Sequence, residues 1–110
     1  MTVDLSTPGT DILGVTTTNC VTYHNNHCGY KLPGHASVGP GTTSEWLLRG
    51  NVVFATGNSH SLDHGFYMHA NDGTVIDGNV GWDIASCGIH LYGGGKGANN
   101  TVVTRNIMVR

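Results

Sequence analysis

An all-β solenoid of three to four coils with parallel strands is the fold class that this 110-residue sequence predicts. Three observations predict it. Leu47-Leu48-Arg49-Gly50-Asn51-Val52 returns as Val75-Ile76-Asp77-Gly78-Asn79-Val80 and again as Val102-Val103-Thr104-Arg105-Asn106-Ile107, with asparagine spacings of 28 and 27 residues. A second motif is interleaved with the first, as Gly65-Phe66-Tyr67-Met68-His69 and Gly88-Ile89-His90-Leu91-Tyr92, with a weaker early copy in Gly29-Tyr30-Lys31-Leu32. Repetition at such a period marks stacked units. The composition, with 17 Gly, 10 Asn and 13 Thr, suits short strands between turns and opposes a helical bundle, which wants Ala, Leu, Glu and Lys.

Taken in order, residues 1–11 are polar and contain Pro8-Gly9, a lead-in that is either disordered or an unfinished coil. Residues 12–110 carry the repeats, interrupted over 33–46 by Pro33-Gly34-His35 and Gly39-Pro40-Gly41, which oppose a ladder strand and mark a loop insertion. Such loops leaving a rigid scaffold tend to carry ligand contacts. Asn19 precedes Gly29 by ten residues, Asn51 precedes Gly65 by fourteen, and Asn79 precedes Gly88 by nine, so turns vary in length while strand patterns persist. Gly93-Gly94-Gly95-Lys96-Gly97 is a second flexible turn. The chain stops just after a repeat begins, with no polar cap for the C-terminal end, so a fragment of a longer solenoid with further coils is expected.

Side-chain alternation assigns the faces. Phe66 and Met68 point one way and Tyr67 and His69 the other; Ile89 and Leu91 point inward, His90 and Tyr92 outward. Parallel coils stack equivalent positions about 4.8 Å apart, so like residues form ladders. Leu48, Ile76 and Val103 are expected as an inner apolar ladder, Asn51, Asn79 and Asn106 as an amide ladder at a turn, and Phe54 and Trp82 as a stacked pair.

With these segments in view, Asp63-His64-Gly65-Phe66-Tyr67-Met68, Thr74-Val75-Ile76-Asp77-Gly78-Asn79-Val80, Gly88-Ile89-His90-Leu91-Tyr92 and Asn100-Thr101-Val102-Val103-Thr104-Arg105-Asn106-Ile107 resemble right-handed parallel β-helix repeat proteins of the pectate-lyase-like superfamily. The resemblance covers residues 47–110 well and 12–46 loosely. Rungs in that group are often shorter, so extended turns are expected here. It implies an extracellular or cell-surface carbohydrate-active protein. Members include polysaccharide lyases, glycoside hydrolases, epimerases and adhesins, so the motifs specify fold more than activity.

Composition excludes some functions. Five basic against seven acidic residues leave a net charge of −2, with no cationic field for a nucleic acid. No apolar run approaches the roughly 18 residues that span a bilayer, and the N-terminus carries no signal-peptide pattern.

Chemistry is expected on the outward face of the Gly-led strands, where one column reads Lys31, Tyr67, His90 and its neighbour Pro33, His69, Tyr92. Tyr rings pack on pyranose faces, while His and Lys donate to hydroxyls or carboxylates. With Asp63 and His64 at the strand entrance, these residues form a candidate polysaccharide-binding strip. A β-elimination lyase needs a base, a cation or metal for the uronate carboxylate and an acid for the leaving oxygen; Lys31 or His90 is the candidate base and Tyr67 the candidate acid. The plainer alternative is that outward Tyr and His are ordinary solvent-facing β residues, in a non-catalytic structural or adhesive solenoid.

A hydrolase needs two carboxylates about 5–9 Å apart on one groove. Asp63, Asp72, Asp77 and Asp83 are the candidates, and none lies on that outward face; Asp77, stacked against Arg49, reads as an ion pair. A lyase is thus the favoured enzyme class. His24, His27 and Cys28 approach a zinc pattern without a fourth ligand, His60, His64 and His69 also gather, and no metal or other cofactor is expected. Cys28 and Cys87, two coils apart, are too distant for a disulfide, while Cys20 with Cys28 remains open. The glycine-rich turn lacks the Ser or Thr of a phosphate-binding loop, no Gly-x-Ser-x-Gly elbow exists, and Asn100 in Asn99-Asn100-Thr101 reads as a turn residue before a glycosylation site.

Overall fold

The structure, a computed structural model, describes residues 14–32, 43–44, 46–58, 62–69, 71–92 and 99–110. The lead-in over 1–11, Pro33, most of the 33–46 insertion, His60 and the glycine-rich turn lie outside the described residues.

Strands rich in Val, Ile and Thr follow one another in a fixed order that the chain repeats. Coil one holds β1 (Thr16–Thr18), β2 (Val21–Tyr23) and β3 (Tyr30–Leu32). Coil two holds β4 (Thr43–Ser44), β5 (Leu47–Arg49), β6 (Val52–Thr56) and β7 (Phe66–His69). Coil three holds β8 (Asn71–Asp72), β9 (Val75–Asp77), β10 (Val80–Ile84) and β11 (Ile89–Tyr92), and β12 (Val102–Thr104) and β13 (Ile107–Val109) begin a fourth. Within the 33–46 insertion, Thr43 and Ser44 nevertheless pair with Asn71 and Asp72, past the last Gly-Pro-Gly, and Trp46 is buried in the core.

Every pairing is parallel and joins equivalent strands of successive coils. The first sheet runs β1-β5-β9-β12, the second β2-β6-β10-β13 and the third β3-β7-β11, with β4-β8 as a short fourth. Among the described residues there is no helix. The arrangement is all-β with stacked parallel sheets, consistent with a parallel β-solenoid.

Two corners bracket the second sheet. Asn19, Gly50, Gly78 and Arg105 have φ between 52° and 64° at the same place in four coils, and His24, Ala55 and Asp83 lie at 49–53° at the other end. A left-handed residue turns the chain sharply at small cost when it is Gly or Asn, which fits Gly50 and Gly78. Gly65, by contrast, answers to crowding: a Cβ there would sit 2.6 Å from Gly88 O and 2.8 Å from Ile84 Cδ1.

Beside the first corner, the asparagines form a continuous ladder. Asn51 N–H and Nδ2 donate to Asn79 Oδ1 at 2.8 and 3.1 Å, and Asn79 N–H and Nδ2 donate to Asn106 Oδ1 at 2.9 and 2.8 Å. The other amide protons reach Thr17 O, Leu48 O and Ile76 O, one coil back along the stack. In coil one the ladder position belongs to Cys20, whose N–H donates to Asn51 Oδ1, while Asn19 occupies the left-handed corner. Counted from Cys20, the spacing to Gly29 is nine residues, the same as Asn79 to Gly88.

Leu48 and Ile76 stack in register and are fully buried; Val103 continues their column but is 45 % exposed on the last described coil. Tyr30, Trp46, Val53, Phe66 and Met68 complete the core, with Tyr30 and Phe66 stacked at 5.1 Å. Ile89 packs against this core, whereas Leu91, in register with Met68, stays exposed because β11 is the edge of its sheet. Phe54 and Trp82 stack at 4.7 Å as expected, and Tyr23 extends the column. Asp77 pairs with Arg49 Nε at 3.0 Å and also with Arg105 Nε at 2.8 Å. Its carboxylate is buried between the two guanidiniums, and the Arg105 hydrogen bonds, then Arg49, hold it below the ordinary carboxylate range.

Asn79→Ala removes an acceptor and two donors from a buried network and strands the Leu48 carbonyl and the Asn51 N–H. It is expected to cost about 3 kcal/mol in urea unfolding, since each unsatisfied buried group costs roughly 1–3 kcal/mol. Asn106→Ala, at a half-buried position, is expected to cost less.

Candidate functional site

The site is assembled by register. The third sheet sets Lys31, Tyr67 and His90 in one column on its outer face and His69 and Tyr92 in the next. Their inward neighbours Tyr30, Phe66 and Met68 are buried, so the outer side chains stand on a rigid floor.

Just before each strand glycine, Cys28, His64 and Cys87 stack in the same way: Gly29 N–H donates to His64 O and Gly65 N–H to Cys87 O. His64 is buried beneath the row, 5.3 Å from the Tyr67 ring and 4.4 Å from the His90 ring. Cys87 N–H donates to His64 Nδ1 at 3.4 Å, which leaves the His64 proton on Nε2, 2.8 Å from His90 Nδ1. His64 therefore donates to His90, which leaves the proton of a neutral His90 ring on Nε2. Tyr67, His69, His90 and Tyr92 continue the cluster at ring separations of 4.9–6.5 Å.

One position earlier, His27 falls over Asp63. Asp63 is buried and accepts from Asn58 N–H at 2.9 Å through Oδ2 and from His27 Nδ1 at 3.0 Å through Oδ1. The His27 side chain is 81 % exposed. A carboxylate fixed on Nδ1–H orients the ring and leaves the Nε2 lone pair free to take a proton. The sequence places Asp63 at a strand entrance and His27 in an incomplete zinc pattern; aligning the strand glycines and reading two residues back brings the two together.

A cleft of about 530 Å³ opens here, lined by Asn25, His27, Cys28, Lys31, Leu62 and Tyr67 among others. Leu62 belongs to a longer connection in coil two, which spends fourteen residues between Asn51 and Gly65 where its neighbours spend nine. The extra length supplies Asn58, Leu62 and the turn into Asp63.

Burial, then the neighbouring Tyr92 and Cys28, raise the Tyr67 phenol, so it stays protonated and acts as a donor. Burial lowers His64, assisted by His90, and burial with Lys31 nearby lowers His69, so both rings are neutral near neutrality. The Cys28 thiol is raised by burial and donates to Leu62 O at 3.5 Å, which argues against a thiolate nucleophile. Cys20, Cys28 and Cys87 are free thiols.

Among the described residues no two carboxylates face the cleft. Asp63 lies under His27, Asp77 is committed to arginines on the first sheet, Asp83 is at a corner of the second, and the Asp72 side chain is outside the described residues. Among the described residues no group of three His, Cys, Asp or Glu is arranged to hold a metal ion, His24, His27 and Cys28 included. Nor, among the described residues, is any helix long and apolar enough to cross a membrane. Asn100 sits at a left-handed turn, φ 51°. Pro33 of the second column lies outside the described residues.

Comparison with protein-family models, with curated proteins and with solved structures finds no match to the chain.

The histidines predict a pH dependence of stability. A folded-state pKa below the unfolded value of about 6.5 makes the unfolded chain take up the proton first, so this stability is complete above about pH 6.5 and falls on acidification. Thermal melts between pH 7.5 and 5 are expected to show that fall. His64→Asn, which keeps an acceptor for Cys87 N–H, is expected to shallow it, leaving the part due to His69.

Proposed function

We propose that the chain is a stretch of right-handed parallel β-helix from an extracellular, pectate-lyase-like carbohydrate-active protein, and that it binds an acidic polysaccharide along the outer face of its third sheet. The observation that carries this reading is the in-register column Lys31–Tyr67–His90 beside the His27 cleft. A polyuronate chain lying on that column meets a cation for its carboxylate, ring surfaces for its pyranose faces, and N–H and O–H donors for its hydroxyls.

The same residues support β-elimination better than hydrolysis. His27, Lys31 and Tyr67 line one cleft. In the proposed step, His27 Nε2 removes the proton next to the uronate carboxylate while Lys31 stabilises the charge that develops on it. The electron pair forms the new C=C bond as the glycosidic C–O bond breaks, and Tyr67 O–H protonates the departing oxygen. Within this reading His27 replaces Lys31 and His90 as the base, because His90 Nδ1 already accepts from His64 and Lys31 is the cation the step needs. The second reading, a structural or adhesive solenoid, draws support from the Tyr23–Phe54–Trp82 ring column on the second sheet, a ladder that serves stacking.

Binding to polygalacturonate by calorimetry and release of unsaturated ends by ultraviolet absorbance distinguish these readings. Tyr67→Ala with His90→Ala is expected to weaken binding about tenfold or more, equivalent to 1.4 kcal/mol. His27→Ala is expected to cut turnover by about 10²–10⁴ while sparing affinity. Unchanged affinity in the double variant would remove the polysaccharide reading, and binding without turnover in the wild type would remove the lyase step alone.

A further inference from the structure

The outward face of the second sheet is independent of the proposed sugar site and carries two apolar columns, flanked at one corner by exposed Asp83 and by His24 edge-on to Tyr23. One column reads Val21, Val52, Val80, Ile107 and the next Tyr23, Phe54, Trp82, Val109, all in register across four coils. None of the eight carries a charge. Tyr23 is 57 %, Trp82 42 % and Ile107 59 % exposed, with Val21, Val80 and Val109 also exposed. Together they leave on the order of 600 Å² of apolar surface in water, the upper end for the largest patch on a monomer and close to the roughly 800 Å² that one partner gives a standard interface.

The rings decide what fits there. Tyr23, Phe54 and Trp82 are parallel to within 5° at 5.2 and 4.7 Å, so each ring covers its neighbour's face and edges point outward. A pyranose stacks on a ring face, and here only the ends of the column offer one. What the surface presents is a ridge of ring edges beside a lower row of valine and isoleucine methyls.

We infer that this face pairs with the same face of a second copy of the chain. A two-fold axis parallel to the stacking direction lays the ring ridge of each copy over the aliphatic row of the other, with strands antiparallel across the interface. Ridge meets groove twice, which is the self-complementarity an isologous contact requires. Two sheets mated in this way lie about 10 Å apart, the ordinary spacing of packed sheets.

Sedimentation equilibrium of the 110-residue chain is expected to show a dimer at about 50 µM that dissociates on dilution. Trp82→Lys or Val21→Lys is expected to weaken it tenfold or more, with an unchanged far-ultraviolet circular dichroism spectrum. In the wild type, tryptophan emission is expected to shift to the red on dilution as Trp82 returns to water, while Trp46 stays in the core. This second readout does not depend on the variants folding. A monomer at every concentration, or a dimer indifferent to both lysine substitutions, overturns the inference.

Discussion

Stacking in this protein rests on a buried amide ladder at one corner of each coil. An asparagine side chain is the right length to take the backbone N–H of the coil before it and to return a proton to that coil's carbonyl, so Asn51 and Asn79 convert a sharp turn into a hydrogen-bonded joint. The joint is fully buried, so the penalty for a slip in register is several unsatisfied polar groups at once. Strand pairing, inner ladder and outer columns all follow from holding that register. The Arg49–Asp77–Arg105 cluster, next to the same corner, adds a charged version of the constraint.

Much of this was legible in the residues. Asparagine and glycine recur at fixed offsets from the strands, so Leu48 over Ile76, Tyr67 beside His90 and Phe54 on Trp82 could be placed by alignment and alternation alone. Measuring coil one from Asn19 offsets it by a single residue, because the backbone needs only an N–H at the ladder position and Cys20 provides it. Arg105 escaped because a left-handed corner aims its side chain back to Asp77, out of the simple alternation.

The site was half visible for a related reason. Outward columns obey strand periodicity, whereas the residues that tune them lie in turns, where periodicity says nothing. His27 meets Asp63 and His64 meets His90 through turns of unequal length, and hydrogen-bond direction, not position, assigns what each ring can do. His90 is consequently a donor and His27 an oriented acceptor. Composition counts seven histidines without separating these roles.

Coil two is five residues longer than its neighbours between the ladder position and the strand glycine, and Leu62 of that longer connection lines the cleft, while the asparagine joint before it and the glycine strand after it keep their register. Length at that point is thus uncoupled from architecture. The connection can therefore be exchanged for one of different size without disturbing the stack, with the scaffold acting as a socket and the excursion as a replaceable cassette.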